Sequence, residues 1–117
     1  MIVVAIIALL AAIAIPNLLR ARITANNANA QSTLRTISTA SETWAAAHNG
    51  DYPATSTDLT GAVPPYMNRN YCTLGHSGFS FTCTMATTGY TIAASPVSAN
   101  QGDTTYQITT GGILTQP

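Results

Sequence analysis

The chain has 117 residues and a formal net charge of zero, from four arginines, no lysine and four acids (Glu42, Asp51, Asp58 and Asp103). That length suits one compact domain. So few cations argue against a nucleic-acid partner, whose binding needs a cluster of positive charge against the phosphates.

The first element is the run MIVVAIIALLAAIAI, fifteen apolar residues closed by Pro16. It is apolar on every face, whereas the core helix of a soluble protein shows a stripe. Fifteen residues at about 1.5 Å each reach about 22 Å, short of the roughly 30 Å of a bilayer's hydrocarbon core. A secretory signal peptide has an apolar region of this length, and Ala12-Ile13-Ala14 matches its cleavage pattern. Such a signal carries its cations ahead of the apolar run, whereas Arg20 and Arg22 follow it, and a long helix runs on behind. Pro16 removes a backbone donor and pushes Ile15 away from helical geometry, so a kink or fray is expected just before it.

Residues 17–48 read as a long amphipathic helix. Ile23, Ala30, Leu34, Ile37 and Trp44 recur at near-heptad intervals and form a narrow stripe on a polar cylinder. Fully helical, this stem spans about 48 Å. Asn49-Gly50 supplies the stop, because both residues tolerate the left-handed conformation of a helix C-terminus. His48 is expected to be exposed near that end.

From Asp51 to about Asn70 the chain is turn-rich, with Pro53, Gly61 and Pro64-Pro65 and no clear period. Short β-rich runs follow: FSFTCTM (79–85), YTIAAS (90–95), TYQITT (105–110) and GILT (112–115). Glycines and the PVSANQGD loop separate them, which reads as an antiparallel meander. One face of that sheet is expected to bury the helix stripe. The fold class is therefore α+β: a long N-terminal helix, broken near Pro16, packs through its C-terminal half against a small antiparallel sheet. Leu34, Ile37, Trp44, Phe79, Phe81 and Tyr106 are assigned to the core, and Tyr66 and Tyr71 to exposed contacts. An even count of closely spaced cysteines in an exported chain favours a Cys72–Cys83 disulfide over two free thiols.

Catalytic chemistry finds little to use. GHSGFS (75–80) approaches the G-x-S-x-G nucleophile elbow, but Phe79 stands where the second glycine belongs, and His48 and His76 are the only histidines. Cys72, His76 and Cys83 do not have a familiar zinc spacing. Asp103 is a lone acid on its loop, and calcium needs several oxygen ligands. No enzyme activity, metal or cofactor is expected.

The segment MIVVAIIALLAAIAIPNLLRARITANNANAQSTLRTISTA resembles the N-terminal signature of type IV pilins and the related pseudopilins. The apolar run, Ala-Ile-Pro at 14–16 and the alanine- and asparagine-rich amphipathic helix carry the likeness; the second half is similar only in style. The resemblance implies a ladle-shaped subunit of three segments: a hydrophobic polymerisation and transmembrane helix (1–16), a stem (17–48) and a globular head (49–117). Met1, Ile2, Val3, Val4, Ile6, Ile7, Leu9, Leu10, Ile13 and Ile15 would form the polymer core, with Pro16 as the helix break. Members of the family begin with a basic leader and a few residues that include a glutamate. The chain is thus expected to start inside the mature helix, and about six further residues would remove the length deficit. The implied partners are identical subunits in a helical homopolymer, the inner-membrane assembly machinery, and the membrane itself before export to a cell-surface filament. The alternatives are a type II secretion pseudopilin, whose major members carry an acid-rich calcium loop absent here, and a minor adhesin that binds a surface or glycan. All eight aromatic residues fall at Trp44 or later, which leaves no aromatic path through a helical fibre core.

Overall fold

The computed structural model describes residues 1–116, and the side chains of residues 14–16 lie outside that description. Helix α1 spans Ile2–Ala47, 46 residues. At about 1.5 Å per residue it measures about 69 Å, and it sets the 71 Å long dimension of the molecule. The break expected at Pro16 is absent: α1 runs through that position as one helix, since a proline inside a long helix removes one hydrogen bond and need not end it. The side chain of Ile15 falls outside the described residues. Where the helix ends, Asn49 (φ 59°) and Gly50 (φ 95°) turn left-handed. The Gly50 N–H folds back to donate to the Ala45 carbonyl at 2.7 Å, which satisfies an acceptor the last turn would otherwise leave open.

The stretch read as turns holds two short helices, α2 (Ser56–Gly61) and α3 (Tyr71–Leu74). Both are set by their first residues. The Thr55 N–H donates to the Asp58 carboxylate at 3.3 Å, and the Asn70 side chain accepts from the Cys72 N–H at 3.1 Å. These are N-terminal capping interactions, which act locally and leave no hydrophobic period to find.

Four strands follow: β1 (Phe79–Ala86), β2 (Gly89–Pro96), β3 (Tyr106–Thr109) and β4 (Ile113–Thr115). They form one antiparallel sheet in the order β1-β2-β3-β4. Alternation fixes its inner face. Tyr90, Ile92 and Ala94 of β2 are buried, as are Phe79 and Phe81 of β1 and Tyr106 and Ile108 of β3. The register places Ile92 opposite Ile108, and Ala94 between Phe81 and Tyr106.

That face closes on α1. Leu34 and Ile37 are fully buried and join Ala30, Ala40, Leu59, Met67 and the strand residues in a single core. Trp44 packs on this core but remains partly exposed, because it sits where the helix leaves the sheet. Tyr66 and Tyr71, read from the sequence as exposed contacts, are half-buried and pack against the same core. The rest of the helix–sheet interface is small and polar. Thr33, Ser38 and Ser41 are all buried; Ser41 Oγ donates to the Ile37 carbonyl at 2.9 Å and Thr33 Oγ1 to that of Asn29 at 2.8 Å. Hydroxyls satisfied within their own helix let the sheet approach without stranding a polar group.

Because the core draws only on α1 beyond Asn26, a chain reduced to residues 17–117 is expected to be monomeric and soluble in size-exclusion chromatography. In that chain Ile37→Ala should cost about 2–5 kcal/mol in urea unfolding, whereas Ala28→Ser, at an exposed position, should change it little.

Candidate polymerisation surface and the head that carries it

Below the head, α1 has no partner among the described residues. Met1, Ile2, Val3, Val4, Ile6, Ile7, Leu9, Leu10 and Ile13 are all exposed, Ile6 least at 51%. The most apolar stretch of eighteen residues has a mean hydropathy of 2.8 and none of it is buried. Leu18 and Leu19 extend the patch. A surface this apolar is stable in water only when covered. Ala5, Ala8, Ala11 and Ala12 lie between the large side chains and allow another helix to approach closely.

Above, two polar connections seat the head on the stem, and a third, covalent one closes the head on itself. The first is Glu42, half-buried on α1. Its Oε1 accepts from the Tyr90 hydroxyl and the Gly111 N–H, both at 2.9 Å, and its Oε2 from the Tyr52 hydroxyl at 3.0 Å. One carboxylate thus gathers the segment after α1, strand β2 and the β3–β4 turn. Since Tyr90 donates to Glu42, Ser38 Oγ donates to Tyr90 across their 2.6 Å separation. Burial pushes the Tyr90 hydroxyl up to about 12; the Ser38 hydrogen bond opposes that rise and the Glu42 carboxylate adds to it. The hydrogen bond to Glu42 also raises Tyr52.

The second connection is the β2–β3 loop. Asn26 Nδ2 donates to the Gln101 carbonyl at 2.7 Å, and Asn27 Nδ2 to Asp103 Oδ1 at 2.6 Å. Between them Gly102 is buried, and a Cβ there would lie 2.5 Å from the Phe79 ring. The Asn27 hydrogen bond, helped by one from Thr104, holds the Asp103 carboxyl below its usual range.

The third is the disulfide. Cys72 and Cys83 are bonded, with Cα atoms 5.7 Å apart, and join α3 to β1. The bond closes a loop of eleven positions, a constraint worth about 3 kcal/mol against the unfolded chain. Within that loop His76 and Phe79 exchange two backbone hydrogen bonds at 3.0 Å, with Ser77 (φ 52°) and Gly78 (φ 79°) left-handed between them. GHSGFS is therefore a reverse turn leading into β1, and its histidine packs edge-on against Tyr71, 5.4 Å between ring centroids. His48 is exposed at the end of α1 and stacks on Trp44 at 4.1 Å. Among the described residues no group of three or more His, Cys, Asp or Glu side chains could hold a metal ion.

No protein-family model matches this chain, and no curated protein or solved structure matches it either.

The Glu42 cluster and the paired asparagines were not foreseen from the sequence. Glu42 is the only acid on the stem and stands among small residues, which is the one local sign of its role.

Tyr90 has its hydroxyl raised from 10.0 in the unfolded chain to about 12 in the folded one. Its neutral form therefore stabilises the head fully below pH 10, and that contribution disappears as pH rises through 12. Unfolding free energy measured by urea titration should fall across this window, and Tyr90→Phe should flatten the fall. Absorbance titration of the phenolates should show that the last tyrosine to titrate is removed by the substitution.

Proposed function

We propose that this chain is a non-enzymatic structural subunit of a type IV pilus, polymerising through its N-terminal helix into a cell-surface fibre. One observation carries the reading: Ile2–Ile13 of α1 is apolar and exposed on every side, while the same helix is bound into a disulfide-closed head further up. A soluble monomer has no use for such a handle. A fibre core of identical helices covers it, with Met1–Ile13 inside, the polar stem around them and the sheet outward. Each large apolar side chain gains roughly 1.5–3 kcal/mol on leaving water. Lipid offers almost the same gain, so the helix resides in the inner membrane before assembly. The move from bilayer to fibre is then close to neutral and calls for assembly machinery, and the finished fibre in water does not dissociate. The lone acid of the β2–β3 loop, already bound to Asn27 and Thr104, favours a pilus over a secretion pseudopilin with a calcium loop.

Electron microscopy of fibres sheared from the producing cells, with the subunit identified by mass spectrometry, tests this. Fibres built of this chain are expected, and Ile6→Asp should abolish them while leaving the head folded, since a carboxylate in an apolar core costs about 2.5–3.5 kcal/mol per subunit. Surface fibres that persist when the gene is deleted, or fibres unaffected by Ile6→Asp, would refute it.

A further inference from the structure

Just under the β2–β3 loop, stem and head leave a notch of about 560 Å³ lined by Leu19, Arg20, Ile23, Thr24 and Asp103. Its composition is unusual for so sparsely charged a chain. Leu19 and the half-buried Ile23 give it an apolar floor continuous with the greasy helix below. Arg20 and Asp103 supply opposite charges on its rim. They do not spend those charges on each other: the Asp103 carboxylate is held by Asn27 and Thr104, both on Oδ1, which leaves Oδ2 without a side-chain partner among the described residues.

The position matters as much as the chemistry. With Met1–Ile13 in hydrocarbon, the last large apolar side chains of the run are Leu18 and Leu19. The rise from Leu19 to Thr24 is about 7 Å, close to the roughly 5–8 Å depth of the polar headgroup layer on one side of a bilayer. The notch therefore opens in the layer where lipid phosphates and amines lie.

We infer that the Leu19–Arg20–Ile23–Thr24–Asp103 notch binds a zwitterionic phospholipid with a primary-ammonium headgroup of the phosphoethanolamine type while the subunit is in the membrane. Arg20 takes the phosphate, for which a guanidinium is a bidentate donor. Asp103 Oδ2 and the Thr24 hydroxyl accept from the ammonium, and Leu19 and Ile23 support the start of the acyl chains. A choline headgroup has no N–H to donate. A phosphoglycerol headgroup is a net anion, and Asp103 repels it. The inference rests on the membrane-resident stage of the proposed function.

The test uses the full chain in neutral detergent micelles, followed by NMR at the Asn27 side-chain amide and the Arg20 Nε–H. Four probes are titrated: lysolipids carrying phosphoethanolamine, phosphocholine or phosphoglycerol, and free glycerophosphoethanolamine. The phosphoethanolamine lysolipid should shift both signals saturably and bind about tenfold more tightly than the other two lysolipids, the effect of one charge-assisted hydrogen bond. Asp103→Asn, which keeps an acceptor for Asn27, should narrow the preference for the ethanolamine over the choline lipid, and the double variant with Thr24→Val should abolish it. Arg20→Gln should weaken both, and Thr24→Val should weaken the ethanolamine lipid alone. Equal binding of all three headgroups by the unaltered chain, or an unchanged preference in Asp103→Asn, overturns the inference. So does binding of the free headgroup as tight as that of the lysolipid, which would mark a soluble zwitterion site. A chain that enters neither micelles nor vesicles overturns the membrane reading and this inference with it.

Discussion

Everything in this molecule depends on one helix having to satisfy two surroundings. Leu34 and Ile37 are covered by Ile92 and Ile108 and lose all contact with water, so the head is stable because α1 is there, and the upper half of α1 is held by the head. No such exchange exists below Asn26. Over Ile2–Ile13 the helix offers only its own backbone hydrogen bonds and exposed apolar side chains, and its environment must come from outside the chain. The head can therefore fold without the lower helix, but the lower helix has no stable place in water without other molecules.

The polar connections fix how the two parts are joined. Burying apolar side chains is non-directional, and a sheet resting on a stripe of alanine, serine and threonine could slide or rotate. The Glu42 carboxylate prevents this by accepting from three segments far apart in sequence, Tyr52, Tyr90 and Gly111. Asn26 and Asn27 repeat the arrangement about four turns lower, against the β2–β3 loop. Two polar anchors along one helix face set both the height and the tilt of the head, which identical subunits must share if they are to pack alike.

How much of this the sequence revealed depends on how local each feature is. The strands alternate over their own few residues, so Phe79, Phe81 and Tyr106 could be assigned from the pattern alone, as could the helix stop at Asn49-Gly50. The α+β arrangement followed from putting those patterns together. Helices α2 and α3 escaped because six and four residues are too few to display a 3.6-residue period, and capping side chains alone specify them. Tyr66 and Tyr71 were misplaced because polar neighbours in sequence conceal a core reached through α2 and α3. Glu42, Asn26 and Asn27 act on partners 10 to 76 positions away, and nothing in a single sequence announces such pairings. The polar atoms that orient the parts were thus the least legible, and the apolar ones that drive collapse the most.

The sheet's two margins carry a further consequence. β1 and β4 have each only one strand neighbour, and an open margin invites another chain to add itself as a strand. Here β4 is three residues long, and α3, fastened by the disulfide at Cys83, packs against β1. Neither margin is a long, flat template. If the subunits assemble as proposed, heads crowded on a filament surface can touch without zippering into amyloid-type stacks, which would leave association to the helices and keep growth along a single axis.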